Sequence, residues 1–522
     1  MAAAPAPSRT TSWARESMGV AAAVAVAIAT VAVVASTPRV ELLLRDGDSL
    51  VTTLVLRSLS SGQPQDWAMS SVLFLPETAV LGALALVGLG IEATLLLAAV
   101  VNLVALYGAL RLAAGARRPG SAPVAASLLA LAGFAVLAAL EASPDRSALE
   151  PASLLLTTTY YSATVIAAVV AVGLVRRGLD APRRRVHLWV LAGVAAASVL
   201  TNPLFAAWVT VPLALVLAAA AVLLRALSPF ATGADVRRAA WMLLLALAAG
   251  TAAGFAARIP LAHLIATSGA GYADPPRWLD SLTYYAGLAA DQLVEPAGVV
   301  AGVVGLALWA WCVIASVLLA RRALIGPAVV AAFGWVVPLL VVVGAVVLGT
   351  QAARYLQPIA FAPVLGLVVL PELVQWRARA GTAVLAGLST AGLVAAAGLG
   401  IPRLAGLADA PERDLACVVE WTDASGRTGA GQFWTVRLPK AHAADPRSLV
   451  QVDHDLRGYA WLVNRDDFEV GEVTFLVLDD ASAPFALPGG ITEADASGVV
   501  DCGRWTILDF GDRPLPLGPQ RS

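Results

Sequence analysis

Two aspartates follow the first long apolar run of this chain. Met18 to Ser36 is apolar, and Arg45-Asp46-Gly47-Asp48-Ser49 comes shortly after it. A carboxylate held there can take a proton from a hydroxyl as its oxygen attacks carbon. Asp-Gly-Asp-Ser is also turn-forming and helix-capping sequence. A second grouping, Gln351 to Pro358, places its one charged residue, Arg354, beside Tyr355. A guanidinium offers paired donors that match phosphate oxygens. The same pair suits a membrane interface, with the arginine stem along apolar surface and the tyrosine in the aromatic belt. Glu77, after Pro76, can be a second acid, a metal ligand or a helix-start charge. The stretch 258–293 holds His263, Tyr272, Asp274, Arg277, Trp278, Asp280, Tyr284, Tyr285 and Asp291. Aromatic and polar groups mixed in this way suit sugar binding and interfacial helices alike.

Other chemistries lack their residues. The four histidines, at 187, 263, 442 and 454, are scattered and give no zinc-ligand spacing. No glycine-rich loop ending in lysine is present to cradle a nucleotide phosphate, and Lys440 is the single lysine. Net charge is −1 with no basic tract, so nucleic acid is not an expected partner. Abundant Arg and Ala with almost no Lys fits a high-GC bacterial genome.

The elements that must position these residues are membrane spans. Of 522 residues, 59% are hydrophobic and 14% charged, against roughly 25% charged in soluble proteins. Mean hydropathy is +0.77. Apolar runs near the ~20 residues of a membrane-crossing helix recur at 18–36, 92–113, 121–140, 153–175, 186–202, 206–224, 239–257, 294–319, 323–348, 356–375 and 381–401. The chain is therefore expected to be a polytopic α-helical membrane protein with about 11 transmembrane helices. The first run, although preceded by Arg9 and Arg15, reads as an uncleaved span because further spans follow it. With the N-terminus cytoplasmic, 17 arginines fall in inner loops and 7 in outer ones, the asymmetry that cytoplasmic loops carry. Among the inner ones are Arg111, Arg117, Arg118, Arg176, Arg177 and Arg377. Val72 to Gly90 breaks this pattern if it crosses, so it is expected to lie at or dip into the outer interface. Near mid-membrane, ionisable residues are nearly absent, which disfavours an ion-coupled transporter.

Two domains follow from this reading. Residues 1–402 form the transmembrane domain, with the first outer loop at 37–91, and residues 403–522 form a small C-terminal extracytoplasmic domain of α+β or mostly β structure. Gly431–Arg437, Leu449–Val452, Val473–Leu478 and Trp505–Phe510 read as its strands. Cys417 and Cys502 lie near its two ends, and an oxidising compartment would allow them to pair. Two unpaired thiols are the alternative. Cys312, inside a span, reads as packing. Trp434, Tyr459 and Trp461 can bind carbohydrate or fill the domain's core.

The order of motifs in the first outer loop resembles the GT-C superfamily of integral membrane glycosyltransferases that use polyprenyl-phosphate sugars, of actinobacterial type. Arg45-Asp46-Gly47-Asp48-Ser49-Leu50 opens the loop, an amphipathic stretch runs to Leu59, and Ser61-Gly62-Gln63-Pro64-Gln65-Asp66-Trp67 makes a turn. Leu73-Phe74-Leu75-Pro76-Glu77 then leads to the interfacial segment, and the next span ends in Arg111, Arg117 and Arg118. The resemblance covers roughly residues 15–400 and rests on short, degenerate motifs. It implies that Asp48, or else Asp46, is the base, and that Arg354 with Tyr355 holds the carrier phosphate. Glu77, Tyr284 and Tyr285 would contact substrate.

The expected function is transfer of a sugar from a polyprenyl-phosphate donor to a cell-envelope glycan, lipid or protein acceptor at the outer face of the cytoplasmic membrane. No cofactor is implied, and a divalent metal is compatible with Asp46, Asp48 and Glu77. Two other classes fit the same spans: a non-catalytic assembly or lipid-binding protein of this fold, and a lipid or polysaccharide transporter.

Overall fold

The computed structural model describes residues 9–116, 122–227, 231–267, 269–374, 378–410 and 412–521. Arg117, Arg118 and Arg377 lie outside the described residues. The chain divides into two compact units. One comprises Met1–Val40, Leu96–Arg258 and Tyr272–Ala405, the other Glu41–Leu95, Ile259–Gly271 and Gly406–Ser522.

The first is a helical membrane unit. Among the described residues of the chain, nine helices are long and apolar enough to cross a bilayer. The expected spans at 121–140 and 186–202 are shorter apolar helices, Pro123–Ala139 and Val186–Thr201. At 17 and 16 residues they reach about 25 Å, against ~30 Å of hydrocarbon. The second ends at Asn202, which is fully buried. Its amide donates to Thr164 Oγ1 at 2.9 Å and its carbonyl accepts from the Leu204 N–H, so Thr201-Asn202-Pro203 is a satisfied turn. Two arginines of this unit, Arg111 and buried Arg176, are paired, as burial favours. Arg111 makes a two-pronged bond to Glu16 at 2.6 and 3.0 Å, and buried Arg176 bonds Glu372 at 2.7 Å and the Ala113 carbonyl at 2.8 Å. Cys312 is buried and directs its thiol to the Pro363 carbonyl.

In the second unit, Glu41–Leu95 groups with Ile259–Gly271 and Gly406–Ser522 and not with the spans, a division that differs from the expected boundary at residue 402. The reason lies in its backbone, whose N–H and C=O groups must find partners. Trp67–Ala68 pairs antiparallel with Val463–Asn464, and the Leu462 N–H donates to the Ala68 carbonyl at 2.7 Å. Asn464 donates to Ser58 Oγ and to the Pro64 carbonyl, and Arg465 pairs with Asp66 at 2.9 Å. The next residue along, Met69, bonds the segment Leu264–Ala266 on both its N–H and its C=O. Val72 to Gly90 contains one helix, Leu75–Ala85, of 11 residues. At about 16 Å it is too short to cross a bilayer.

The C-terminal part is α+β. A seven-stranded sheet runs in the order Gly518–Arg521, Arg457–Tyr459, Leu449–Val452, Gly429–Gln432, Phe475–Leu478, Trp505–Asp509, Gly498–Cys502. Its middle three strands are parallel and its last two form an antiparallel hairpin. Leu449–Val452 is buried along its whole length, as a parallel strand covered on both faces should be. One predicted strand is corrected: Gly431–Arg437 is the end of strand Gly429–Gln432 followed by helix Phe433–His442. Eight of that helix's ten residues are buried, so tertiary packing overrides the β preference of Phe, Trp, Thr and Val. Cys417, on helix Arg413–Ser425, and Cys502, at the end of a strand, form a disulfide with Cα atoms 5.5 Å apart.

Candidate functional site

The Asp46–Ser49 turn is built locally. Helix Val40–Leu44 stops at Arg45, and the N–H groups of Arg45 and Asp46 both donate to the Glu41 carbonyl. The Asp46 carboxylate then accepts the Asp48 N–H at 3.1 Å, an Asx turn of the kind Asp favours. Ser49 closes the far side through its hydroxyl on the Leu42 carbonyl, and helix Val51–Ser60 begins two residues later. A turn-forming role therefore falls to Asp46, which agrees with the preference for Asp48 over Asp46 as the candidate base. Asp48 is half-buried. Arg45, alongside, pairs with Glu41 and Glu412.

The floor of this turn is supplied by helix Phe433–His442. A Cβ at Gly47 would lie 3.1 Å from the Trp434 ring and 3.3 Å from Arg437 and Phe433, so glycine gives the closest fit of the turn on this helix. Arg437 is fully buried. Its Nε donates to the Gly47 carbonyl at 2.7 Å, and its Nη1 to the Leu462 carbonyl at 2.7 Å and Gln451 Oε1 at 3.1 Å. The guanidinium lies 4.6 Å from the Phe433 ring centroid. Burial pulls its pKa down to about 10, while Asp48, Asp46 and Asp467 oppose the shift.

In the membrane unit the Arg354 corner is built from tyrosines. Helix Trp278–Gln292 supports the turn that precedes Arg354. Ser281 Oγ donates to the Thr350 carbonyl at 2.6 Å, and the Tyr285 hydroxyl meets Thr350 Oγ1 at 2.8 Å and the Ala352 N–H at 3.3 Å. Tyr285 is buried and its hydroxyl is committed to the turn, which makes it a scaffold for Arg354. Tyr284 is half-buried, and burial raises its phenol pKa against a bond to the Ala353 backbone. Arg354 Nε donates to the Tyr161 hydroxyl at 3.3 Å, and its guanidinium carbon is 5.6 Å from the Tyr355 ring centroid. Gln357, nearly inaccessible, donates to the Tyr160 carbonyl at 2.8 Å.

No protein-family model matches the chain, and no curated protein matches it. Among solved structures it is similar to one of an archaeal oligosaccharyltransferase. That protein is AglB from Archaeoglobus fulgidus, in complex with an inhibitory peptide and a dolichol-phosphate. Identity is 10%, the match covers 90% of this chain and 70% of the other, and the TM-score is 0.40.

The remaining sequence candidates are distributed as follows. Asp46, Asp48 and Glu77 belong to the sheet-bearing unit; Arg354, Tyr355, Tyr284 and Tyr285 belong to the membrane unit. Glu77 is buried in the first turn of Leu75–Ala85. Trp434, which is exposed, and Tyr459, which is half-buried, both pack edge-on against Phe433, at 4.5 and 6.1 Å. Among the described residues, no three of His, Cys, Asp and Glu gather as metal ligands.

Sequence reasoning missed three residues here. Arg437 was hidden inside a predicted strand. Tyr161 adopts a left-handed backbone, φ 66° and ψ 27°, at the start of helix Ser162–Asp180, a conformation that non-glycine residues hold mostly where the surroundings impose it. Its edge-on contact with Trp208 at 5.8 Å is part of that surrounding. Glu141 is fully buried, and burial pushes its pKa up to about 7 despite Arg39, the Ser153 hydroxyl and two backbone N–H donors. The only signal for Tyr161 was the buried polar run Thr157-Thr158-Thr159-Tyr160-Tyr161-Ser162 in an apolar protein.

Proposed function

We propose that this protein is a membrane glycosyltransferase of GT-C type that transfers a sugar from a polyprenyl-phosphate carrier to an acceptor on the outer face of the cytoplasmic membrane. The observation that carries the reading is the division of labour in the Asp46–Ser49 turn. Asp46 accepts the Asp48 N–H, so the turn fixes the backbone that carries the Asp48 carboxylate just before a helix start. In the proposed step Asp48 takes the proton of an acceptor hydroxyl as that oxygen bonds to the anomeric carbon. The bond from that carbon to the carrier phosphate breaks, and the phosphate leaves with the electron pair. The leaving group needs a cation more than an acid, and Arg354 with Tyr355 is assigned to it. Tyr284 is assigned to the substrate side of that corner, Tyr285 to holding it. Glu77 is assigned to the first-loop scaffold. The sugar and the acceptor class are left to experiment.

The test uses the full chain in lipid nanodiscs with a panel of polyprenyl-phosphate hexoses and pentoses and an envelope-glycan acceptor. Transfer by the wild type, lost in Asp48→Asn and Arg354→Ala with unchanged yield and melting, supports the reading. Full transfer by both variants overturns the assignments. Movement of the lipid-linked sugar across the bilayer without a new glycosidic bond would make the protein a transporter.

A further inference from the structure

We propose that Arg437, from the C-terminal part of the chain, is a positioning residue for the Asp46–Asp48 turn, so that residues 406–522 are part of the catalytic machinery. The proposal rests on the reading of Asp48 as the base. Three observations carry it.

First, the contact is direct and unusual in composition. An arginine with no solvent exposure gives its Nε to the carbonyl of Gly47, the residue between the two aspartates, at 2.7 Å. Burying a guanidinium is costly unless its donors are used. Its Nη1 is bonded twice within the C-terminal part, while among the described residues Nη2 makes no hydrogen bond within the protein. The side chain thus carries a full charge with donor capacity beyond what the sheet needs. The acids that act on it are Asp46 and Asp48 of the turn and Asp467 of the turn Arg465–Val470.

Second, the turn is fitted to the helix from its own side. A Cβ at position 47 would force Trp434, Phe433 or Arg437 to give by a few tenths of an ångström. A contact serving only the C-terminal fold would place no such demand on a residue some 390 positions earlier.

Third, the rest of the loop is tied to the same part of the chain. Arg57 donates to the Ala443 carbonyl, Asn464 to Ser58 and Pro64, and His442 bonds Glu92 at 2.8 Å. The first helix after the turn and the helix that returns to the membrane are therefore referenced to helix Phe433–His442, with Arg437 at its centre. A buried arginine bonded to the Gly47 carbonyl fixes where the turn sits.

The experiment compares wild type, Arg437→Gln, Arg437→Lys and Gly47→Ala as full-length protein in nanodiscs. Hydrogen exchange is read on peptides covering 44–50, with 505–509 as the control for the domain. Expected for Arg437→Gln is about ten-fold or faster exchange at 44–50 with the control unchanged. Gly47→Ala, which keeps every contact within the C-terminal part, should loosen 44–50 in the same direction. Unchanged exchange at 44–50 in both overturns the proposal, and so does equal loosening of 505–509, which would make Arg437 a general fold residue.

The split between kcat and KM supplies a readout that mere structural loss does not move. Arg437→Gln should lower kcat about ten-fold or more with KM little changed at equal folded protein, and Arg437→Lys should return kcat toward wild type. A raised KM with kcat unchanged, or no recovery in Arg437→Lys, overturns the proposal. If Asp48→Asn retains activity, the base assignment fails separately, and the latch is then judged on hydrogen exchange alone.

Discussion

The arginines 354 and 437 are held in opposite ways. Arg437 is fully buried and directs three donor bonds at backbone and amide oxygens of its own unit. Arg354 is half-buried and rests on two phenols, the Tyr161 hydroxyl at 3.3 Å and the Tyr355 ring. One arginine is committed to shape. The other is carried against a phenol hydroxyl and a tyrosine ring. The contrast extends to their surroundings, since the tyrosines around Arg354 hold one turn whereas the helix under Arg437 holds a sheet, a loop and a disulfide-closed domain. A change near Arg354 should therefore read in activity with the backbone order intact, and a change at Arg437 should read in activity together with the local order of residues 44–50.

The largest expected effect tests this most directly. Asp48→Asn should lower transfer about 10²–10⁴-fold, the worth of a general base, with melting unchanged. Asp46→Asn keeps the side-chain oxygen of the Asx turn and should cost far less. Equal losses in the two would erase the division between cap and base.

Next comes the buried pair beneath the same helix. Lys440 Nζ donates to the Pro446 and Leu449 carbonyls at 2.7 Å each and meets Asp467 at 2.9 Å. Burial holds the Asp467 pKa above the usual carboxylate range even with Lys440 beside it. Lys440→Met strands that carboxylate and should cost about 3–5 kcal/mol, measured by denaturant unfolding. Adding Asp467→Leu should recover most of it. A loss under about 1 kcal/mol for Lys440→Met would show that the pair is not what anchors this helix.

The disulfide comes third. Cys417→Ser with Cys502→Ser opens a loop spanning 85 residues and should cost about 2–4 kcal/mol. The loss should confine itself to the sheet-bearing unit by limited proteolysis. Cleavage spreading equally into the membrane helices would contradict the two-unit division. A smaller effect is expected at Arg354's support: Tyr161→Phe removes one hydrogen bond and should reduce transfer about 2–10-fold with no change in melting. A melting loss would place Tyr161 with the scaffold.

The smallest effect concerns pH. Burial alone would lower the His442 pKa, but its bonds to Glu92 and the Leu438 carbonyl raise it above the ordinary 6.5. A raised folded pKa contributes stability that is present below 6.5 and is lost as pH rises through the folded value. Melting of the sheet-bearing unit should therefore fall modestly as pH rises above 6.5, by under about 1 kcal/mol. His442→Gln should flatten that slope; a slope unchanged in the variant would assign it to other groups.

How much could be read in advance follows from which interactions are local. The long spans were legible because a bilayer demands long apolar runs, whereas the runs expected to cross at 121–140 and 186–202 form shorter apolar helices, Pro123–Ala139 and Val186–Thr201. Leu449–Val452 was legible because both its faces are covered and all four residues are apolar or amide. Helix Phe433–His442 was not, because its residues favour strand locally and only burial against the sheet makes it a helix. The turn at Asp46 was legible as a turn, yet which aspartate capped it depended on one bond of 3.1 Å.

By itself the sequence determined a many-span membrane protein, a first loop with two carboxylates, a late Arg-Tyr pair and a cysteine-bearing C-terminal part, because composition, periodicity and residue type are local properties. Tertiary structure alone decided that the first loop folds with residues 406–522, that Tyr285 supports Arg354, and that a buried arginine lies under the Asp46–Asp48 turn. Those choices join positions hundreds of residues apart, and they are settled by which buried donors and acceptors can reach one another once the helices and the sheet have formed.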